Sequence, residues 1–258
     1  MNDRVAITPL PDGGRLFSRV SGPENREPVL FLHGNRDNHS HWCEVVDALP
    51  GTQAWCVDFR AHGLSSKEDV PFTTESCVQD IESLVEDQGW SRYSIVGHSL
   101  GSVVAMVLAL RNPANVSRLA LMGSSAKFRM KWKRPEVARE NYRSVIEESN
   151  RRAGEAFLAG LSDDVKERVL LSWSWIPFEN HLRLIQIQHP DLRSRLEGIS
   201  CPTLVIGGGL DRSTPPEDGE EIARKLLLGE FRLMPEVGHF PHLEAPAEVA
   251  DILRGWLA

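Results

Sequence analysis

Short, almost uninterrupted apolar runs recur along the chain and alternate with longer amphipathic segments. Runs of this kind are typical of strands that are covered on both faces. They are VLFLHG (29–34), QAWCVDF (53–59), YSIVGH (93–98), SRLALMGS (117–124), PTLVIGG (202–208) and EFRLMPE (230–236). The segments 73–89, 100–113, 217–229 and 246–258 show helical apolar spacing with cap residues, proline or glycine at their ends. This alternation predicts a parallel sheet with helices on both faces.

The segment from Ser125 to Gly198 interrupts the alternation. It contains several helical patterns and no convincing strand, and an unstructured loop of that length would be unusual. We therefore predict a helical insertion, with residues 1–124 and 199–258 forming the core domain and residues 125–198 forming a cap. Four aromatic side chains of the insertion form either a small helical core or the roof of a substrate pocket; they are Trp132, Trp173, Trp175 and Phe178.

The pentapeptide GHSLG (97–101) lies between a predicted strand and a predicted helix. It fits G-x-S-x-G, the sharp turn that exposes a nucleophilic serine at the top of a sheet, and Gly97 and Gly101 would let strand and helix approach closely. The N–H of Leu100 could then stabilise an oxyanion beside Ser99. The alternative is a serine that only caps the helix.

A serine nucleophile needs a base, and the base needs a group that orients it. Asp211 follows the strand at 202–208, and His239 follows the strand at 230–236. The order serine, aspartate, histidine is one of the known orders of a catalytic triad. Upstream, FLHGN (31–35) ends a strand at a glycine. The N–H of Asn35 is a candidate second oxyanion donor, although a plain turn would explain the same residues.

Taken together, these motifs resemble the α/β-hydrolase superfamily over essentially the whole chain. The matching stretches are LHGN (32–35), DFRAHGLS (58–65), GHSLG (97–101), GGGLD (207–211) and GHFPHLEAP (238–246). The resemblance implies an eight-stranded, mostly parallel sheet with a helical cap inserted after the sixth strand. It also implies Ser99 as nucleophile, His239 as base and Asp211 as its orienting acid. Asn35 and Leu100 would be the oxyanion donors.

Two positions depart from the patterns of this superfamily. Ala61 stands where glycine is frequent, which concerns the loop after the strand at 53–59. Arg36 stands where dehalogenases and epoxide hydrolases carry the proline of HGxP, and those relatives use an aspartate nucleophile instead of a serine. The arginine in place of this proline and the serine in place of the aspartate both favour a reaction other than carbon–halogen or epoxide hydrolysis. His41, His62, His98 and His242 are assigned no catalytic role.

The sequence therefore predicts a serine hydrolase that transfers an acyl group of a small-molecule ester, lactone or thioester to water. Hydrolysis of a carbon–carbon bond on the same fold is the enzymatic alternative. A ligand-binding protein without catalysis is a further alternative, although all three triad positions are occupied. We expect no cofactor and no metal, and the sequence does not indicate an oligomeric state.

Composition and charge narrow the expected partners. The 258-residue chain has a formal net charge of −7, which argues against a nucleic acid or an acidic membrane surface as its main partner. The basic run KFRMKWKR (127–134) is either a solvated face or a surface that attracts an anionic substrate. No apolar stretch is long enough to span a bilayer. Widely spaced cysteines and the lack of an apolar secretion signal at the N-terminus predict a cytoplasmic protein with reduced thiols.

Overall fold

The computed structural model describes residues 3–67, 72–128, 141–158, 160–185 and 187–258. Its centre is one eight-stranded sheet in the order β1-β2-β4-β3-β5-β6-β7-β8. The strands are β1 (Arg4–Pro9), β2 (Arg15–Ser21), β3 (Pro28–Leu32), β4 (Gln53–Asp58), β5 (Tyr93–His98), β6 (Val116–Met122), β7 (Thr203–Gly208) and β8 (Gly229–Met234). Strand β2 is antiparallel to both of its neighbours, and all other pairs are parallel. The predicted sheet is confirmed.

Helices pack against both faces of this sheet. They are α1 (Cys43–Asp47), α2 (Thr74–Asp87), α3 (Leu100–Arg111), α4 (Tyr142–Ala153), α5 (Asp163–Ser174), α6 (Phe178–Ile185), α7 (Pro216–Lys225), α8 (Pro241–Glu244) and α9 (Pro246–Leu257). The helix predicted to reach Gly229 ends at Lys225 instead. Gly229 begins β8, where an added Cβ would lie 2.2 Å from the carbonyl oxygen of Ala223. No helix within the described ranges is long and apolar enough to cross a membrane.

The two faces of the sheet bury separate apolar clusters. In β3, Leu30 and Leu32 belong to one cluster, whereas Val29 and Phe31 belong to the other. This division follows from the two-residue period of a strand, which sends successive side chains to opposite faces. Helix α3 lies in the first cluster and is buried along nearly its whole length. The apolar run in its sequence is therefore explained by burial on all sides.

Between β6 and β7 the described residues form α4, a π-helical turn at Gly154–Leu158, α5 and α6. A third apolar cluster joins these helices to the segment after β8: Val169 and Trp173 of α5 lie with Phe240 and Leu243. The helical insertion predicted after the sixth strand thus packs over the loop that carries His239.

Gly101 lies where α3 crosses β3, and it leaves no room for a side chain. An added Cβ would lie 2.2 Å from the carbonyl oxygen of Leu32, a backbone atom that cannot move aside alone. We expect Gly101→Ala to lower the free energy of unfolding by about 3 kcal/mol or more, which corresponds to a fall of roughly 10 °C in Tm. Thermal unfolding followed by circular dichroism measures this.

Gly51 provides the matched control for this substitution. It has no heavy atom within 4 Å of an added Cβ and no positive φ, so Gly51→Ala should change stability by less than about 1 kcal/mol. Equal Tm values for the two variants would show that the close approach of α3 to β3 is not tight.

Candidate active site

Ser99 is the single residue between β5 and α3, and its backbone is strained. Its φ of 50° and ψ of −110° lie in a region that L-residues rarely adopt, at a cost of order 1–3 kcal/mol. The N–H donates to the carbonyl oxygen of Met122 at 2.9 Å and so fixes the turn. The Ser99 side chain makes no capping hydrogen bond to α3. The alternative of a serine that only caps the helix therefore lacks the contact that defines it.

Asp211 and His239 form a buried pair beyond the carboxyl ends of β7 and β8. Asp211 Oδ2 lies 2.7 Å from His239 Nδ1, and the two residues are 5% and 4% exposed. Because the carboxylate can only accept, Nδ1 carries the proton and Nε2 keeps a free lone pair. Burial alone would raise the pKa of Asp211, but His239 and the hydrogen bonds from Thr214 outweigh it and lower that pKa to about 2. Burial alone would lower the pKa of His239, but the charge of Asp211 raises it above 6.5.

The turn at Ser99 and the Asp211–His239 pair lie side by side. His98, which precedes Ser99, donates from Nε2 to the backbone oxygen of His239 at 2.8 Å. Gly123 follows Met122, and an added Cβ at Gly123 would lie 3.1 Å from His239 Cε1. Within the described part of the chain no hydrogen bond joins Ser99 Oγ to His239 Nε2; the ring nitrogen with hydrogen-bond partners is Nδ1. Such bonds are often loose before substrate binds.

The loop after β3, which carries Asn35, is tied to the start of α3, where Leu100 lies. The N–H of Gly101 donates to the carbonyl oxygen of His33 at 3.1 Å. Leu100 is the first residue of α3, so its N–H has no partner inside the helix. The Asn35 side chain is turned away, since Nδ2 donates to the carbonyl oxygen of Leu184 in α6 at 2.8 Å. The predicted oxyanion donors, the backbone N–H groups of Asn35 and Leu100, thus belong to two segments that are tied to each other by the bond between Gly101 and His33.

The comparison with protein families agrees with the fold. A model of the alpha/beta hydrolase family matches residues 29–252. The chain belongs to the alpha/beta hydrolase family.

Curated relatives of this alpha/beta hydrolase include 3-oxoadipate enol-lactonase 1 of Acinetobacter baylyi. It is 23% identical over 251 residues, which cover 95% of this chain and 94% of the relative. A pimeloyl-[acyl-carrier protein] methyl ester esterase of Neisseria meningitidis is 27% identical over 260 residues, covering 94% of this chain and 98% of the relative. Among solved structures, a thermophilic esterase from Thermogutta terrifontis superposes with a TM-score of 0.80 at 26% identity, covering 100% and 98% of the two chains.

The hydrolase also contains a buried polar cluster that the sequence reasoning did not identify as part of the site. Asp37 Oδ2 lies 3.4 Å from His98 Nδ1, and Asp37 Oδ1 lies 3.6 Å from His41 Nδ1. The rings of His98 and His242 are 4.5 Å apart. Burial alone would raise the pKa of Asp37, but His41 and His98 lower it below its usual range. Since His98 also bonds the backbone of His239, this cluster links the loop after β3 to the segment that carries His239.

Gly34 of the hydrolase shows how tightly that cluster packs. An added Cβ at Gly34 would lie 2.5 Å from Asp37 Oδ2 and 2.8 Å from His98 Nδ1. The four-residue spacing of Asp37 and His41 was visible in the sequence, but their contact with His98 depends on how two loops fold together. Thr214 was missed for the same reason; its hydroxyl donates to Asp211 Oδ2 at 2.6 Å and fixes that carboxylate.

The four aromatic residues predicted for the pocket have different surroundings in the hydrolase. Trp173 is 5% exposed and packs in the cluster with Phe240, whereas Trp175 is 43% exposed. Trp132 lies outside the described residues, as does the side chain of Phe178. Phe157, which was not predicted, has its ring centroid 5.0 Å from that of His239. Among the described residues of the insertion, Phe157 therefore lies against His239.

His62 and the described part of the basic run at 127–134 have hydrogen-bond or ion-pair partners other than Ser99, Asp211 and His239. His62 donates from Nδ1 to the carbonyl oxygen of Arg60 and accepts from the N–H of Arg36, and burial lowers its pKa to about 3. Lys127 of the basic run lies 3.2 Å from Asp191, and residues 129–134 of that run lie outside the described part. Across the described ranges no cluster of histidine, cysteine and acidic side chains could hold a metal ion.

Proposed function

We propose that the chain is a serine hydrolase that cleaves a small-molecule carboxylic ester, lactone or thioester through an acyl-enzyme. The observation that carries this proposal is the buried Asp211–His239 pair beside a strained Ser99. Curated relatives named as an enol-lactonase and a methyl ester esterase support an ester-type substrate. The helices of residues 125–198 would form the cap over this site.

In the proposed reaction, His239 Nε2 removes the hydroxyl proton of Ser99 as Oγ attacks the carbonyl carbon. The negative charge that develops on the carbonyl oxygen is stabilised by the N–H groups of Asn35 and Leu100, whose positions are fixed before the substrate arrives. Protonated His239 then gives its proton to the leaving oxygen or sulfur. A water molecule, deprotonated by the same nitrogen, attacks the acyl-enzyme; His239 then returns this proton to Ser99 Oγ as the bond to the acyl group breaks and the acid leaves.

Asp211 has two tasks in this sequence of steps. Its hydrogen bond to Nδ1 selects the tautomer of His239 that can accept a proton at Nε2, and its charge stabilises the imidazolium that forms. Thr214 and the N–H of Ser213 donate to the carboxylate, at 2.6 Å and 2.8 Å. These bonds keep Asp211 ionised and oriented towards His239.

Labelling with an alkyl fluorophosphonate tests the proposal. The reagent needs an activated serine, so we expect one covalent adduct per chain, located on Ser99 by peptide mass spectrometry, and parallel loss of 4-nitrophenyl ester hydrolysis. A protein that only binds ligands would remain unlabelled. Efficient cleavage of a vinylogous diketone with no turnover of esters, lactones or thioesters would favour carbon–carbon bond hydrolysis instead.

A further inference from the structure

We propose that the guanidinium of Arg36 binds a carboxylate of the substrate, so that the ester or lactone cleaved at Ser99 carries a negative charge close to the reacting carbonyl. This inference rests on the proposed function, because it assigns a substrate class to the same site. It starts from one residue that is strained, buried and incompletely paired.

The backbone of Arg36 is held in an unfavourable conformation in the loop after β3, directly after Asn35. Its φ is 71°, a value that glycine adopts far more readily than arginine. The N–H donates to His62 Nε2 at 2.9 Å, and the carbonyl oxygen accepts from Ser172 Oγ at 3.2 Å. Core and cap thus both hold this conformation. Because consecutive Cα atoms are about 3.8 Å apart, the side chain of Arg36 starts next to the proposed oxyanion donor Asn35.

The Arg36 guanidinium is buried at the boundary between core and cap. The residue is 6% exposed, and its carbon Cζ lies 3.8 Å from the ring centroid of Trp173. Of the five N–H donors that a guanidinium carries, one on Nη1 donates to Asn150 Oδ1 at 2.7 Å. Within the described residues no carboxylate lies at ion-pair distance from it. Burial lowers the pKa of Arg36 to about 10, and the charge of the neighbouring Asp37 opposes this shift, so Arg36 is still charged at neutral pH.

Arg60 shows how this chain pairs a structural arginine that is equally buried. Arg60 is 7% exposed, and it donates from Nε and Nη2 to the two carboxylate oxygens of Asp80 and from Nη1 to Asp12. A buried cation without such a partner is costly. No described carboxylate pairs with Arg36 in this way, and this is explained if the substrate supplies the carboxylate.

Other polar atoms around Arg36 are also buried and lack hydrogen-bond partners in the described structure. They are Asn35 Oδ1, Trp173 Nε1 and His181 Nδ1. Burial, and then the charge of Arg36, lower the pKa of His181 to about 4, so His181 is neutral and does not compete for an anion. Unpaired buried polar groups are uncommon in folded proteins. Such groups beside an incompletely paired cation favour a polar ligand at the boundary between core and cap.

Matched pairs of substrates test the proposal on both sides of the reacting bond. On the acyl side, 4-nitrophenyl hydrogen glutarate is compared with 4-nitrophenyl pentanoate, with the spontaneous hydrolysis subtracted. On the alcohol side, 3-carboxyphenyl pentanoate is compared with 3-carbamoylphenyl pentanoate. We expect a higher kcat/KM for the anionic member of at least one pair. Arg36→Gln should reduce that preference by about 10- to 100-fold, since hydrogen bonds between charged groups are among the strong ones, and Arg36→Lys should reduce it less.

Arg151→Gln is the control for the loss of one positive charge. Arg151 lies exposed on α4 and pairs with Glu148 and Glu155, so its replacement should leave the preference for the anionic substrate unchanged. A preference that is absent in the wild-type enzyme, or that survives Arg36→Gln, would overturn the proposal.

Two measurements separate this proposal from the proposed function and from a folding defect. Fluorophosphonate labelling of Ser99 reports on the nucleophile whether or not an anion site exists. Binding of glutarate, followed by tryptophan fluorescence with neutral glutaramide as the comparison, reports on the anion site even if no ester is turned over. We expect the wild-type protein to bind glutarate and not glutaramide; equal binding, or none, would refute the role of Arg36 without any variant.

Discussion

Ser99→Ala is expected to lower kcat for ester hydrolysis by about 10⁴- to 10⁶-fold, because the members of a triad act as a unit and the residual rate comes from the oxyanion donors and binding alone. The variant should fold like the wild-type protein, since the Ser99 side chain does not cap α3. Initial rates on a 4-nitrophenyl ester and a thermal unfolding curve measure the two effects.

Ser83→Ala is a suitable control for this variant. Ser83 lies on α2, and its hydroxyl donates to the carbonyl oxygen of Gln79 within the same helix, so its loss should leave kcat unchanged. If Ser99→Ala kept more than a tenth of the wild-type rate, the hydroxyl of Ser99 would not be the nucleophile. Loss of labelling without loss of turnover would lead to the same conclusion.

The central strands were predictable because burial on both faces leaves a nearly continuous apolar run. The strands β3 to β8 each overlap one of the runs in the sequence. The first two strands were implied only by the family resemblance. Strand β1 lies at the edge of the sheet, and its residues alternate between exposed positions and partly or fully buried ones. Its sequence, RVAITP, contains an apolar run of only three residues, which is too short to distinguish a strand from a loop.

Ala61 lies at a position where the sequence suggested an unusual loop conformation, and its backbone has a positive φ. The sequence places alanine where related proteins often have glycine, and Ala61 adopts a φ of 65°. Its N–H donates to the carbonyl oxygen of Ser66 at 2.8 Å, which closes the loop after β4. Alanine at position 61 therefore adopts a backbone conformation that favours glycine.

The proposed triad could be located from sequence because each of its members ends a strand or follows one. Arg36, Asp37, His98 and Thr214 could not be assigned in this way, because their contacts join loops that are far apart in the chain. Arg36 was noted only as a departure from a proline motif. Its burial against Trp173 depends on the cap, which is the part of the chain with the weakest sequence pattern.

Asp211→Asn is the variant that tests the base and its orienting acid together. An asparagine can place its NH₂ group towards His239 Nδ1 and so favour the tautomer with the proton on Nε2, where it cannot accept the proton of Ser99. We expect kcat to fall by about 10⁴-fold. The residual activity should also respond differently to pH. The base must be neutral, so kcat/KM falls as the pH drops through the pKa of His239, which lies above 6.5 in the wild-type enzyme.

Burial lowers the pKa of His239, and the charge of Asp211 raises it. The Asp211→Asn substitution removes this charge, so the pKa of His239 should fall. The acidic limb of the pH profile of kcat/KM should therefore move to lower pH in Asp211→Asn. Asp251→Asn removes one negative charge from α9, where Asp251 pairs with Arg254 on the surface, and should leave both the rate and the limb unchanged. An Asp211→Asn enzyme within tenfold of the wild-type kcat, with its acidic limb in place, would show that another group orients His239 and sets its pKa.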